Sequence, residues 1–166
     1  MAVTPAENVA HLEAVRRTAR QGAVAAATAA AQYVRDRARN DTLQRTAHGA
    51  GEFHRAKPGR PPARASGALI RDMFFKPASG GLRASALVGN KSDYGRIHEF
   101  GCVITPKAET HLGWKDTGRP DNPSGIWRHR SVEVPPHPFL GPTTDEAIDD
   151  GGLVEAMIKA FRDYDP

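Results

Sequence analysis

At 166 residues, with 39% hydrophobic and 7% aromatic side chains, 16 glycines and 13 prolines, the chain has room for one modest core and generous loops rather than two full domains. No apolar run approaches the ~20 residues that cross a bilayer, and no basic stretch followed by an apolar one opens the chain, so a soluble protein made in the cytoplasm, with no membrane partner, is expected. The net charge of +4 is unevenly spread: residues 1–65 hold 11 Arg and Lys against 5 Asp and Glu, residues 66–142 hold 10 against 7, and residues 143–166 hold 2 against 7. A basic head and an acidic tail suit nucleic-acid contact at one end, or head-to-tail contact between copies.

Thr4-Pro5-Ala6-Glu7 carries three helix-start signals: a threonine cap, proline at the first helical position, and a glutamate placed to close a capping box. Val9, Leu12, Val15, Ala19, Ala23, Ala26, Ala30 and Tyr33 then recur at steps of three or four, which predicts a long N-terminal helix over residues 1–40. Its stripe is narrow and made mostly of alanine, so it buries little area and needs a partner. Such a helix would be about 50 Å long at 1.5 Å per residue, and is expected either to break near Gly22 or to project onto a neighbouring subunit. Residues 41–65 combine glycine and proline with Arg45, Arg55, Lys57, Arg60 and Arg64 and show no sustained period, reading as a basic flexible arm.

Residues 66–166 read as an α+β core. Ser66 to Phe75 is expected to be a short capped helix, with Leu69, Ile70 and Met73 on one side; Leu82 to Gly89 a strand; and Asn90-Lys91-Ser92 a turn. "CVITPK" is a further strand. The strand-like pieces "THLGWKD" and "GIWRHRSVEV", flanking a polar loop at 117–125, form a long hairpin. Four prolines hold residues 135–142 extended; Thr143-Thr144-Asp145-Glu146 then repeats the capping-box pattern and starts a C-terminal helix at about Thr144, bent or broken at Gly151-Gly152. The predicted fold is α+β: a long N-terminal helix, a small antiparallel sheet with a long hairpin, a short helix, and a C-terminal helix packed on it.

Catalytic and metal-binding patterns are absent from this sequence. The histidines at 11, 48, 54, 98, 111, 129 and 137 make no HExxH, and GxSxG, GxxxxGK[ST] and GxGxxG are missing. The one cysteine, Cys102, excludes an intramolecular disulfide and a thiolate zinc cluster. His98-Glu99 is the only adjacent pair resembling a dyad, yet neighbours diverge on a helix and point to opposite faces of a strand. Tyr94, Phe100 and Gly101 are expected to fix a turn in the core, and Glu99 either to stand in solvent or to meet a basic group on a neighbouring subunit. A non-enzymatic protein without cofactor or metal follows.

"YGRIHEFG" (94–101) followed downstream by "PPHPFLGPTTDEA" resembles the tail-completion, or minor tail component, family of long-tailed bacteriophages, akin in role to the lambda Z protein and to the virion-morphogenesis proteins of Mu-like phages. Tyr94, Glu99, Phe100 and Gly101 match its first motif; Pro135, Pro136, Pro138, Phe139 and Leu140 match the second; Gly67, Leu69 and Asp72 match a smaller upstream element. The likeness covers roughly residues 60–163, and His137 stands where the family usually has arginine. It implies a virion protein of the neck, present in host cytoplasm during assembly. It further implies a self-associating ring with six-fold symmetry, contacting head–tail stopper or adaptor and tail terminator or tube proteins. Arg35, Arg37, Arg39, Arg45, Arg55, Lys57, Arg60 and Arg64 are the candidates for contact with packaged DNA. The alternative is a basic DNA-binding protein using the 35–65 segment.

Overall fold

The computed structural model describes residues 4–43, 58–62, 67–77, 83–106, 112–115, 126–129 and 131–164, with the backbone alone for 112–115 and 126–129. Thr4 caps helix α1 (Pro5–Arg37) as its sequence predicts: the Thr4 amide donates to Glu7 Oε2 at 2.7 Å and the Glu7 amide donates to Thr4 Oγ1 at 3.3 Å. The helix does not break at Gly22. It continues through a π-helical turn, Ala38–Leu43, which carries the chain past the expected boundary at residue 40 and buries Ala38 and Leu43.

That turn delivers the core. Ala38, Leu43, Met73 and Phe139 form one buried cluster, flanked by the partly buried Leu69, Ile70, Val88 and Leu140. The expected helix from Ser66 to Phe75 is shorter than predicted: α2 spans only Ala68–Arg71, Ser66 lies outside the described residues, and Met73–Pro77 is strand β1. Two adjacent aromatics after Met73 suit a pleated surface better than a helix, and here they have a partner to pair with. β1 lies antiparallel to β2 (Ala86–Asn90), with Phe74 opposite Gly89. The Phe74 ring covers that glycine so closely that a Cβ there would come within 3.0 Å of it. Both strands pack against α1, and the Arg35 guanidinium lies 4.7 Å from the centre of the Phe75 ring.

Asn90 ties the hairpin to its neighbours. Its Nδ2 donates to the Leu69 carbonyl at 2.7 Å and its Oδ1 accepts from the Ser92 amide at 2.9 Å, while Ser92 caps α3 (Asp93–Phe100). The expected pairing of the two strand-like pieces is present, β4 (Leu112–Lys115) lying antiparallel to β5 (Ile126–His129), while β3 (Cys102–Ile104), read in the sequence as a separate strand, pairs antiparallel with β6 (Val132–Val134). Between the two ladders the leading strand carries five more residues than the returning one. The C-terminal helix begins earlier than expected, at α4 (Leu140–Asp149), and breaks at Gly151 with φ of 76° before α5 (Gly152–Arg162).

α1 and α5 run antiparallel and in close contact, Gly22 meeting the Phe161 ring and Tyr33 meeting Gly152. Arg37 adds a polar clasp at the α4–α5 corner: it pairs with Asp150 directly and with Glu146 at 3.7 Å, and donates to the Tyr33 hydroxyl at 3.2 Å. The architecture is α+β, with three antiparallel two-stranded ladders among the described residues. No helix among them is long and apolar enough to cross a membrane.

Candidate functional site

The two sequence motifs, about 40 residues apart, meet at one joint. Gly101 ends α3 with φ of 69°, its amide donating to the Ile97 carbonyl at 2.8 Å. A Cβ at this position would stand 2.9 Å from the Val134 carbonyl oxygen and 3.0 Å from the Pro136 nitrogen, so conformation and space both call for glycine. The chain therefore leaves α3 pressed against the start of the proline-rich segment.

Glu99 makes the joint. Its Oε2 accepts from the Phe139 amide at 2.9 Å and the Leu140 amide at 3.0 Å, and its Oε1 accepts from the Gly141 amide at 2.8 Å. A helix N-terminus exposes four N–H groups with no carbonyl of their own. In α4 these fall at Phe139, Leu140, Gly141 and Pro142. Glu99 takes the first three, and proline has no N–H to satisfy. A carboxylate at the positive end of the helix dipole is favoured as well. The Thr143–Glu146 pattern forms no cap; instead the Thr143 hydroxyl donates to the Phe139 carbonyl at 2.5 Å, Thr144 to the Leu140 carbonyl at 2.8 Å, and the Thr42 hydroxyl lies 2.6 Å from that of Thr143.

This assignment corrects the expectation that Glu99 points to a basic group on another subunit: its oxygens are taken by its own chain. The aromatic expectation is corrected too. Tyr94 is 66% exposed and Phe100 76%, while α3 buries Gly95 and turns His98 and Glu99 toward the proline segment. Of the downstream motif, Phe139 is fully buried, Pro138 and Leu140 are half-buried, and Pro136 is exposed.

His98 and His137 complete the joint. The His137 amide donates to the His98 carbonyl at 2.6 Å, and the rings meet edge to face with centres 5.9 Å apart. His137 is buried, its Nδ1 lying 3.0 Å from the Arg60 carbonyl, so its ring faces inward rather than standing ready for the outward contact of an arginine. Burial, and then the neighbouring His137, lower the His98 pKa from its ordinary value of 6.5. His98 Nδ1 is buried without a hydrogen-bond partner among the described residues. No His98–Glu99 dyad forms.

The cationic candidates divide. Arg35 pairs with Asp36 at 2.6 Å and lies over Phe75, and Arg37 is held by Asp150, Glu146 and Tyr33, so both are engaged within the fold. Arg39 is half-buried beside them. Arg60 has an exposed side chain, and its segment is tied to the proline-rich stretch by the Gly59 amide donating to the Pro136 carbonyl at 3.0 Å. Arg45, Arg55, Lys57 and Arg64 lie outside the described residues.

Sequence reasoning missed the Glu99 cap, the His98–His137 contact and the Thr42–Thr143 bond. One signal for the first was available: a helix start with proline at its third position and no usable local cap asks for a distant acceptor. Among the described residues no group of three or more His, Cys, Asp or Glu side chains could hold a metal ion. No family model, curated protein or solved structure matches the chain.

Proposed function

We propose that the chain is a structural subunit of a phage head–tail junction, one of several copies in a ring that completes the tail and helps join it to the DNA-filled head. The observation that carries this reading is the joint itself. Glu99 locks the "YGRIHEFG" helix to the proline-rich segment, yet the motif's aromatic members face outward: Phe100 and Tyr94 are exposed, beside Val103 at 63%. A rigid frame that presents large apolar side chains to solvent is suited to a neighbouring subunit that covers them. The basic-to-acidic gradient along the chain favours head-to-tail contacts, which close into rings.

The test is assembly. Particles produced without this protein should contain normal-looking filled heads and tails that fail to join or to stay joined, and imaging of complete particles should place it in a closed ring at the neck. Full infectivity without it would overturn the reading. Duplex binding by the isolated monomer, with a steep salt dependence, would favour the DNA-binding alternative.

A further inference from the structure

The β1–β2 hairpin turns one face to α1 and the other away from it. Phe75 and Val88, opposite each other, belong to the inner face: the Arg35 guanidinium of α1 lies over Phe75, and Val88 packs on the buried cluster. Alternation along the strands puts Phe74 and Lys76, with their partners Gly89 and Leu87, on the outer face. There the Phe74 ring lies on Gly89, and two ammonium groups converge on it. Lys76 Nζ stands 5.8 Å from the ring centre and Lys91 Nζ 5.9 Å. Both lysines are exposed, as is Arg83 on the connection between the strands.

This positive charge is not balanced locally. Arg35 and Arg37 have carboxylate partners, whereas Lys76, Lys91 and Arg83 form no ion pair among the described residues. Asp72 and Asp93, the carboxylates nearest in sequence, pair with neither lysine. Residues 73–92 contain no Asp or Glu, and residues 53–92 together hold eight Arg and Lys against Asp72 alone. Two like charges gathered at one ring are held there only by the weak pull of its π face, and an anion that joins them removes their repulsion.

The form of the surface selects among anions. Lys91, Lys76 and Arg83 follow one another from the open end of the hairpin toward its tip, so the charges are strung out rather than closed round a point. Lysines are point charges on flexible stems, suited to a row of phosphates. Leu87, 57% exposed, is the one large aliphatic side chain of this face among the described residues, whereas a protein partner would need an apolar centre to pack on.

We propose that the outer face of the β1–β2 hairpin, through Lys76, Lys91 and Arg83, holds the phosphodiester backbone of duplex DNA without reading its sequence. The inference rests on the head–tail reading for the source of the DNA, and it takes the contact from Arg35, Arg37 and Arg39 to the hairpin.

The experiment titrates the full chain into a labelled duplex at ~50 mM salt and above, followed by anisotropy. Lys76→Gln combined with Lys91→Gln should weaken binding about tenfold or more at ~50 mM salt and make the slope of log K against log salt shallower by about 1.8. The melting temperature should hold, since neither lysine has an ion-pair partner to lose. Lys76→Arg with Lys91→Arg should keep wild-type binding, and duplexes of unrelated sequence should bind alike. Lys159→Gln with Arg162→Gln removes the same charge from exposed positions on α5 and should leave binding in place. Equal loss from the α5 pair would reduce the effect to net charge and overturn the inference. An undiminished slope in the hairpin variant would overturn it too, by returning the contact to residues 35–65, as would no duplex binding by the wild-type chain at ~50 mM salt. Stronger competition by polyglutamate than by unlabelled duplex at equal charge would replace DNA by an acidic protein. The two readings fail separately: hairpin-dependent DNA binding by a chain absent from the neck sinks the ring alone, and a neck ring whose hairpin variant binds DNA unchanged sinks this contact alone.

Discussion

Glu99 Oε2 accepts the amide proton of Leu140 at 3.0 Å, joining the end of one motif to the end of the other. Replacing Glu99 by alanine leaves three amides at the head of α4 without a protein acceptor, an expected loss of about 2–4 kcal/mol. Glutamine keeps one acceptor oxygen and loses the charge, and should cost about 1–2 kcal/mol. Urea denaturation should order the stabilities Glu, Gln, Ala with an unchanged slope. Equal stability of all three would mean that the cap contributes nothing.

Gly101 and Gly151 share a positive φ, 69° and 76°, and differ in surroundings: a Cβ at Gly151 meets nothing within 4 Å, whereas one at Gly101 meets the Val134 carbonyl. Gly151→Ala should therefore cost only the conformational strain, about 1 kcal/mol. Gly101→Ala adds a backbone collision and should cost about 2–4 kcal/mol. The difference between the two melts measures how tightly α3 is pressed on the proline segment.

The lowered His98 pKa sets a direction for acid. A histidine held below its ordinary 6.5 in the folded state stabilises the protein fully above that value, and the contribution is lost as pH falls through the folded pKa. The melting temperature should fall as pH drops from neutral into the range below 6.5, before Glu7 and Asp150, held below their ordinary 4.5 and 3.8 by the Thr4 backbone amide and the Gly152 amide respectively, begin to protonate. His98→Phe should flatten the upper part of that profile and leave the lower part in place.

Arg35 and Arg37 are tests of fold against phosphate contact. Alanine at either should lower the melting temperature, because Arg37 holds α1 to Asp150 and Glu146 and Arg35 covers Phe75. Neither change should alter binding of duplex DNA measured at low salt by anisotropy. Loss of DNA binding at full stability would reverse the assignment.

Legibility followed distance along the chain. The Thr4 cap, the Gly151 break and the β4–β5 pairing depend on residues a few positions apart or on strand-like segments flanking one polar loop, so their signals lie in plain view. Met73 to Phe75 misled because the apolar spacing that places Leu69, Ile70 and Met73 on one helical side also fits a helix-to-strand change, and only the pairing with Val88 and Gly89 decides. The Thr143–Glu146 box is a valid local pattern that lost to Glu99, a better acceptor 42 residues from the furthest amide it takes. The outward aromatics were misjudged for a different reason: large apolar residues in a motif suggest a core, and a packed joint beside them leaves them no room inside.

The cap at α4 also governs how the chain can be lengthened. Bringing Glu99 to residue 139 closes a 40-residue loop, at an entropic cost of about 3 kcal/mol that is met only once the clamp has formed. Doubling the loop adds about 0.6 kcal/mol. Because its ends are held by three amides and a glycine corner, the hairpin between them can grow or shrink at its tip with little consequence for the fold. The α3–α4 clamp thus makes the tip the place where the reach of the molecule can be reset without rebuilding what anchors it.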